Sequence, residues 1–312
     1  MVAISDKAKQ FLFVIIKVLI VGGAFYFIYQ KLSNNPKLDW QKCTEAIHNS
    51  RAMILFLVAL LLAFLNRFFE ILKWQNLVGT FQRISLGSAT RQVLGGLTAG
   101  IFTPNGVGEY AGKALYFEKT LTKKILFLNL VCNGAQMIIT VVFGFFGLLY
   151  FNVSHHVITP GTVIFVFAAV CTGLFALFMM KRFSIKGYSL EKGIHKINAL
   201  PKNTHRRNMA LAVARYLFFS HQQYIMLLCF DVHLPYFLIM ATIAATYFLA
   251  SCLPSFQFLD FAVKGGVAVL FFGILGVNEW IVVLVTTLMW LLNVVIPVII
   301  GSYFVLRFKQ TT

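Results

Sequence analysis

The chain reads as long apolar runs separated by short polar stretches. Uninterrupted apolar blocks cover roughly residues 11–30, 52–73, 123–151, 162–181, 209–230 and 277–306. At 1.5 Å per helical residue each is long enough to cross a hydrocarbon layer of about 30 Å, so the pattern predicts six membrane-spanning helices. The first block is long for a secretory signal and no small-residue cleavage pattern follows it, which makes it a retained span. Lys17 lies within it, predicted either to face protein or to snorkel toward the interface.

Two further segments, 89–119 and 236–274, are apolar but interrupted by Pro104, followed by Asn105-Gly106, and by Pro254, set between Leu253 and Ser255. A proline removes a helical hydrogen bond, and lipid cannot satisfy the backbone groups it frees. Each segment is therefore predicted to be two helical arms meeting at a buried turn, with Pro104, Asn105, Gly106, Gly108 and Pro254 at the turns. Gly96 and Gly100 in one arm, and Gly108 and Gly112 in the next, offer small-residue faces on which the arms can close.

Loop charges orient the chain. The 182–208 loop is rich in Lys and Arg, whereas 152–161 and 231–235 contain neither, so the first is expected in the cytoplasm and the other two outside. Counting from there places Lys119, Lys123, Lys124, Arg307 and Lys309 inside, and the two broken hairpins open to opposite sides. The 31–51 loop runs against this count: it falls outside yet carries Lys31, Lys37, Lys42 and Arg51 against Asp39 and Glu45.

Composition narrows the function class. Of 312 residues 59% are hydrophobic and 12% charged, with a mean hydropathy of +0.80, which excludes a water-soluble globule. The net charge of +17 sits largely in loops, where it reads as topology and contact with anionic headgroups rather than nucleic acid. Cys43, Cys132, Cys171, Cys229 and Cys252 form no CxxC pair, and four of them lie in apolar blocks as small hydrophobes.

The two breaks share a pattern. Pro104-NGVG-Glu109-YAG-Lys113 and Pro254-SFQFL-Asp260-FAV-Lys264 each run proline, spacer, acid, then lysine four residues on. A span carrying an arginine precedes each, Arg67 and Arg215, and a span dotted with polar residues follows: Asn129, Asn133 and Gln136 in one half, Asn293 in the other. With oppositely facing hairpins this predicts an inverted-topology repeat, the first repeat over 52–151 with hairpin 89–119 and the second over 209–306 with hairpin 236–274, in one transmembrane domain of residues 1–312. An acid and a lysine at i, i+4 also make an ordinary helix ion pair. At the bilayer centre, however, even one charge costs about 2.5 to 3.5 kcal/mol, so such residues usually serve a substrate or a pathway.

Other motifs fall short. Gly106-x5-Gly112-Lys113-Ala114 is one residue too long for a P-loop and lacks its Ser or Thr, and Gly106-x-Gly108-x3-Gly112 misses the dinucleotide spacing. No cofactor and no metal is expected. His155 and His156 read as solvated, and His221, beside Gln222, Gln223 and Arg215, either lines a cavity or caps a helix contact. Arg91 is placed at the cytoplasmic mouth, and Glu70 and Lys73, near a predicted helix end, at the interface. No HExxH, DxD or Ser-His-Asp set is present, so an enzyme is not expected.

LNRFFEILKW followed by ATRQVLGGLTAGIFTPNGVGEYAGKALYF resembles the lysylphosphatidylglycerol synthase transmembrane-region family, whose members are often described as flippase-like. The resemblance covers about residues 10–306, and its most specific piece is Pro104-x3-Gly108-Glu109 with Lys113 four residues after the acid. Asn105 and Val107 stand where the family often has other residues. The family includes the N-terminal part of the multiple peptide resistance factor, which moves aminoacylated phosphatidylglycerol between leaflets. It implies a multi-pass protein of a bacterial plasma membrane, C-terminus in the cytoplasm. With no soluble domain before Thr312, it implies translocation without lipid aminoacylation.

The expectation is an all-α integral membrane protein of two inverted repeats with two Pro-broken re-entrant hairpins, moving a phosphate-containing lipid between leaflets by alternating access. Arg67, Lys113, Arg215 and Lys264 are expected to donate to the phosphate, and Glu109 and Asp260 to balance the empty site and carry protons. The expected ligand is an anionic or zwitterionic membrane lipid. A separate synthase or glycosyltransferase, or a second copy of the chain, would be a protein partner. Alternatives are a carrier of polyprenyl phosphate or a polyprenyl-linked sugar, an intramembrane lipid-modifying enzyme, and a scaffold for a synthase.

Overall fold

The computed structural model describes Tyr26, Thr159 and residues 50–104, 106–156, 184–185, 188–253 and 260–308. The predicted spans at 11–30, Tyr26 apart, and at 162–181 lie outside these residues, as do the turn residues Asn105 and Pro254. In chain order the helices are α1 (Ser50–Val78), α2 (Leu86–Gly100), α3 (Val107–Ala114), α4 (Thr122–His155), α5 (Leu190–Asn198), α6 (Lys202–Cys229), α7 (Tyr236–Cys252), α8 (Asp260–Ile274), α9 (Glu279–Trp290) and α10 (Ile296–Arg307). A 3-10 turn, Lys119–Leu121, leads into α4, and a π-helical turn, Leu291–Val295, joins α9 to α10. Apart from a two-residue antiparallel hairpin, Ser184–Ile185 with Tyr188–Ser189, the regular elements among the described residues are helical.

Among the described residues, three continuous helical stretches are long and apolar enough to cross a membrane: Ser50–Val78, Lys119–His155 and Glu279–Arg307. The predicted span at 209–230 is the C-terminal part of α6, which has 28 residues but is too polar to join that group. Arg215, Gln222 and Gln223 interrupt its apolar run, and the two glutamines are buried in the protein. The chain is a multi-pass, all-helical membrane protein.

The first broken segment forms two arms. α2 has 15 residues and α3 has 8, so at 1.5 Å per residue they reach only about 22 and 12 Å. The turn between them uses Gly106 at φ 69°, a left-handed conformation that glycine adopts without Cβ strain. The hydroxyl of Thr103 accepts from the Gly108 N–H at 2.8 Å. The arms run antiparallel in close contact: a Cβ on Gly112 would lie 2.9 Å from that of Ala99 and 3.0 Å from the Gly96 Cα. The second broken segment likewise gives two arms, α7 and α8, of 17 and 15 residues.

Each half has its own apolar core. Trp74, Leu77, Val93, Ile125 and Leu128 pack together among α1, α2 and α4, while Met226, Ile239, Ile243, Phe272 and Leu284 do so among α6 to α9. Between the halves the contacts cross over. α1 lies antiparallel to α6, tied by the Cys229 thiol to the Ala52 carbonyl at one end and by the Asn76 amide to the Thr204 carbonyl at the other. α4 of the first half packs Gly147 against Ala241 and Ala244 of α7, and α10 of the second half packs against α2, where the Thr98 hydroxyl reaches the Val298 carbonyl at 3.3 Å.

Candidate functional site

A cavity of about 290 Å³ lies between the halves, walled by α1, α4, α6, α7, α8, α9, the π-helical turn and the tips of α2 and α3. Five of the six residues expected to meet the substrate line it: Arg67, Glu109, Arg215, Asp260 and Lys264. They come from four helices and both halves of the chain. Phe219, Tyr247, Phe261 and Trp290 supply aromatic surface to the same wall.

The charges are paired across and within elements. Arg215 of α6 forms an ion pair with Glu70 of α1, and its Nε donates to Asn66 Oδ1 at 3.1 Å. Asn66 Nδ2 donates to Asn293 Oδ1 at 2.7 Å, and Asn293 Nδ2 donates in turn to Gln222 Oε1 at 3.0 Å. This chain of amides joins α1, α6 and the π-helical turn in the polar layer between the two cores. Arg67 donates to the backbone carbonyl of Asn293, while its Nε is buried without a partner. Every carboxylate on the wall is held by another cation, and Arg67 makes no ion pair with any of them.

The two acid-lysine elements differ in setting. Lys113 is fully buried behind the wall: its Nζ lies 2.6 Å from Glu109 Oε1, 2.8 Å from Asn129 Oδ1 and 4.6 Å from the centre of the Trp74 ring. It reaches the cavity only through Glu109. Lys264 stands on the wall itself, 2.5 Å from Asp260 Oδ2, with its Nζ 5.6 Å from the Phe219 ring centre and 5.9 Å from that of Tyr247. Tyr247 donates its hydroxyl to Gln223, which orients that ring.

Glu70 and Lys73 are buried in the protein. Because α1 continues to Val78, both lie inside the fold, 3% and 0% exposed, with Lys73 Nζ 3.4 Å from Gln136 Oε1. Their spacing with Asn66, at i, i+4 and i+7, is the available signal: it sets a polar stripe along one face of an otherwise apolar helix. His221 is absent from the cavity wall. Its ring bonds Leu217 O and the Tyr236 hydroxyl, each at 2.8 Å, and so caps the contact of α6 with α7. Gln223 faces the cavity instead, and Arg91 lies in a separate cleft. Among the described residues no three His, Cys, Asp or Glu side chains are grouped to hold a metal ion.

Chemically, the wall offers guanidinium and ammonium donors to an anion, aromatic faces to an apolar moiety, and carboxylates that a competing cation can release. Neither the curated proteins nor the solved structures contain a match to the chain. The family model described as lysylphosphatidylglycerol synthase TM region matches residues 14–301, and the protein therefore belongs to that family and shares its membrane lipid-related function.

Proposed function

We propose that the protein is a lipid translocase, carrying a phosphate-containing lipid between leaflets with the headgroup in the cavity and the acyl chains trailing in the bilayer. The observation that carries this reading is Arg67, a cation on the cavity wall with no carboxylate of its own. Charge at membrane depth is costly unless it is paired or used, and phosphate oxygens are the natural partners of a guanidinium fork. A volume of about 290 Å³ is at the small end of ligand pockets, roughly 300 to 1,000 Å³, which suits a headgroup and excludes the chains.

Alternating access follows from two inverted repeats with re-entrant hairpins. Antiparallel packing of α1 with α6, the equivalent arginine-bearing helices, supports the inversion, as does the reciprocal packing of α4 on α7 and α10 on α2. The short arms of the first hairpin support re-entry, since neither reaches across about 30 Å. In this mechanism Arg67, Arg215 and Lys264 hold the phosphate, and Glu109 and Asp260 release or take up their lysines as it enters and leaves. Lys113 acts by holding Glu109. The lipid leaves chemically unchanged, so the protein is not an enzyme. It works in the bacterial plasma membrane with its C-terminus in the cytoplasm, and a separate synthase supplies its substrate.

Reconstitution into vesicles containing a headgroup-labelled phosphatidylglycerol or a labelled polyprenyl phosphate tests this. Wild-type protein should move one of them between leaflets, and Arg67→Gln and Lys264→Gln should each slow the movement at least about tenfold, the loss of one charge-assisted bond. Wild-type rates in both variants would refute the site. Covalent conversion of the lipid would replace the carrier reading with an enzymatic one.

A further inference from the structure

Away from the cavity, a cleft of about 650 Å³ opens between the first turns of α2, Tyr116 and the end of α10. Arg91 and Arg307 stand on its walls with Tyr116 and Tyr303 beside them. Arg91 Nη2 rests 3.2 Å from Ser88 Oγ, and the Arg307 guanidinium stacks 4.6 Å over the Tyr303 ring. Tyr116 meets Phe308 edge to face, with ring centres 4.8 Å apart. Both arginines are exposed, and among the described residues neither forms an ion pair with a carboxylate.

Two guanidinium groups are thus brought to one cleft from opposite halves of the chain, and a phosphate carries the charge and the acceptor oxygens that suit them. Arg307 ends the apolar stretch Glu279–Arg307, so the cleft lies where that helix leaves the hydrocarbon. Along α10 it stands about 20 Å from Asn293 on the cavity wall, which is half the thickness of a bilayer with its headgroups. Tyrosine rings are at home at that depth. The tight seam of α2 on α10, closed where Thr98 meets Val298, separates the cleft from the cavity.

We propose that this cleft is a second binding site, for a phosphate ester at the membrane surface, with Arg91 and Arg307 as its two donors and Tyr116 and Tyr303 flanking it. A lipid headgroup and a soluble phosphate ester present the same oxygens to it. The site does not depend on translocation through the cavity.

Hydrogen exchange of the full chain in detergent tests it, with dihexanoylphosphatidylglycerol, glycerol 1-phosphate and phosphate-free dihexanoylglycerol as probes. Residues 86–91 and 303–308 should gain protection from phosphatidylglycerol and not from the diglyceride. Protection by phosphatidylglycerol alone identifies a lipid headgroup as the ligand, and protection by glycerol phosphate as well shows that the phosphate ester suffices. Arg91→Gln with Arg307→Gln should weaken the effect about tenfold or more, while the double lysine variant retains much of it. Both side chains are exposed, so these variants keep the fold. Arg67→Gln should leave the protection intact, which separates this site from the cavity. Equal protection by the diglyceride, none from any probe, or an unchanged effect in the double glutamine variant would overturn the proposal.

Discussion

Arg67 of α1 donates to the backbone carbonyl of Asn293, at the π-helical turn before α10. Pro297 stands four residues after Asn293 and has no N–H with which to close the ordinary helical bond to that carbonyl, and its ring crowds the same oxygen. The widened turn relieves the crowding and leaves the carbonyl facing the cavity. Pro297→Ala restores the missing donor. It should raise thermal stability, by up to the roughly 3 kcal/mol that separates Ala from Pro in a helix, and lower lipid movement by drawing Asn293 away from Arg67. Thermal unfolding in detergent alongside the vesicle assay checks both halves of this expectation.

The Arg215–Glu70 pair crosses from one half of the chain to the other. Glu70→Gln strands a guanidinium in the polar layer and should cost about 3 to 5 kcal/mol, the usual penalty for removing one member of a buried pair. Adding Arg215→Gln should return part of that loss. A double-mutant cycle on unfolding reads the coupling directly, and additive losses would show that the pair contributes nothing across the seam.

The two acid-lysine elements should respond differently although their sequence spacing is the same. Lys113→Met leaves Glu109 beside a fully buried void of charge, for a loss on the order of 3 kcal/mol. Lys264→Met removes a partner from a pair about 30% exposed on both sides and should cost less than about 1 kcal/mol. Transport should nonetheless fall sharply in the second variant, because Lys264 itself lines the cavity. Measuring stability and rate on both proteins separates a structural lysine from one that meets the headgroup.

Gly147→Val would place side-chain atoms against the Ala241 carbonyl, where even a Cβ comes within 2.7 Å. Overpacking of this kind costs about 1 to 3 kcal/mol. The variant should lose stability and should not be rescued by Gly301→Val, which strains the other crossed seam. Thermal unfolding of the single and double variants gives the test.

Much of this was legible in the sequence. Apolar run lengths located α1, α4 and the α9–α10 stretch, and Pro104 with Asn105-Gly106 located the turn between α2 and α3. Arg67, Glu109, Arg215, Asp260 and Lys264 were drawn out by repeated spacing, and they share one cavity wall. Glu70 was missed because its partner, Arg215, is far away in sequence, and periodicity reports which face of a helix is polar but not what covers it. Lys73 was missed for a related reason: α1 runs past the end of its apolar block to Val78, so a position that reads as a helix end is interior. Lys113 and Lys264 look equivalent in one dimension. Only packing, with Trp74 and Asn129 closing over one of them, tells them apart.

The crossed seams bear on how the chain is made. As α4 leaves the ribosome its Gly147 face has no partner, because α7 has yet to be synthesised, and α2 waits longer still for α10. Neither half can cover these faces by itself, so two helical surfaces stay open until α7 and α10 arrive. Two separately expressed halves, each unfinished, should find one another in the membrane.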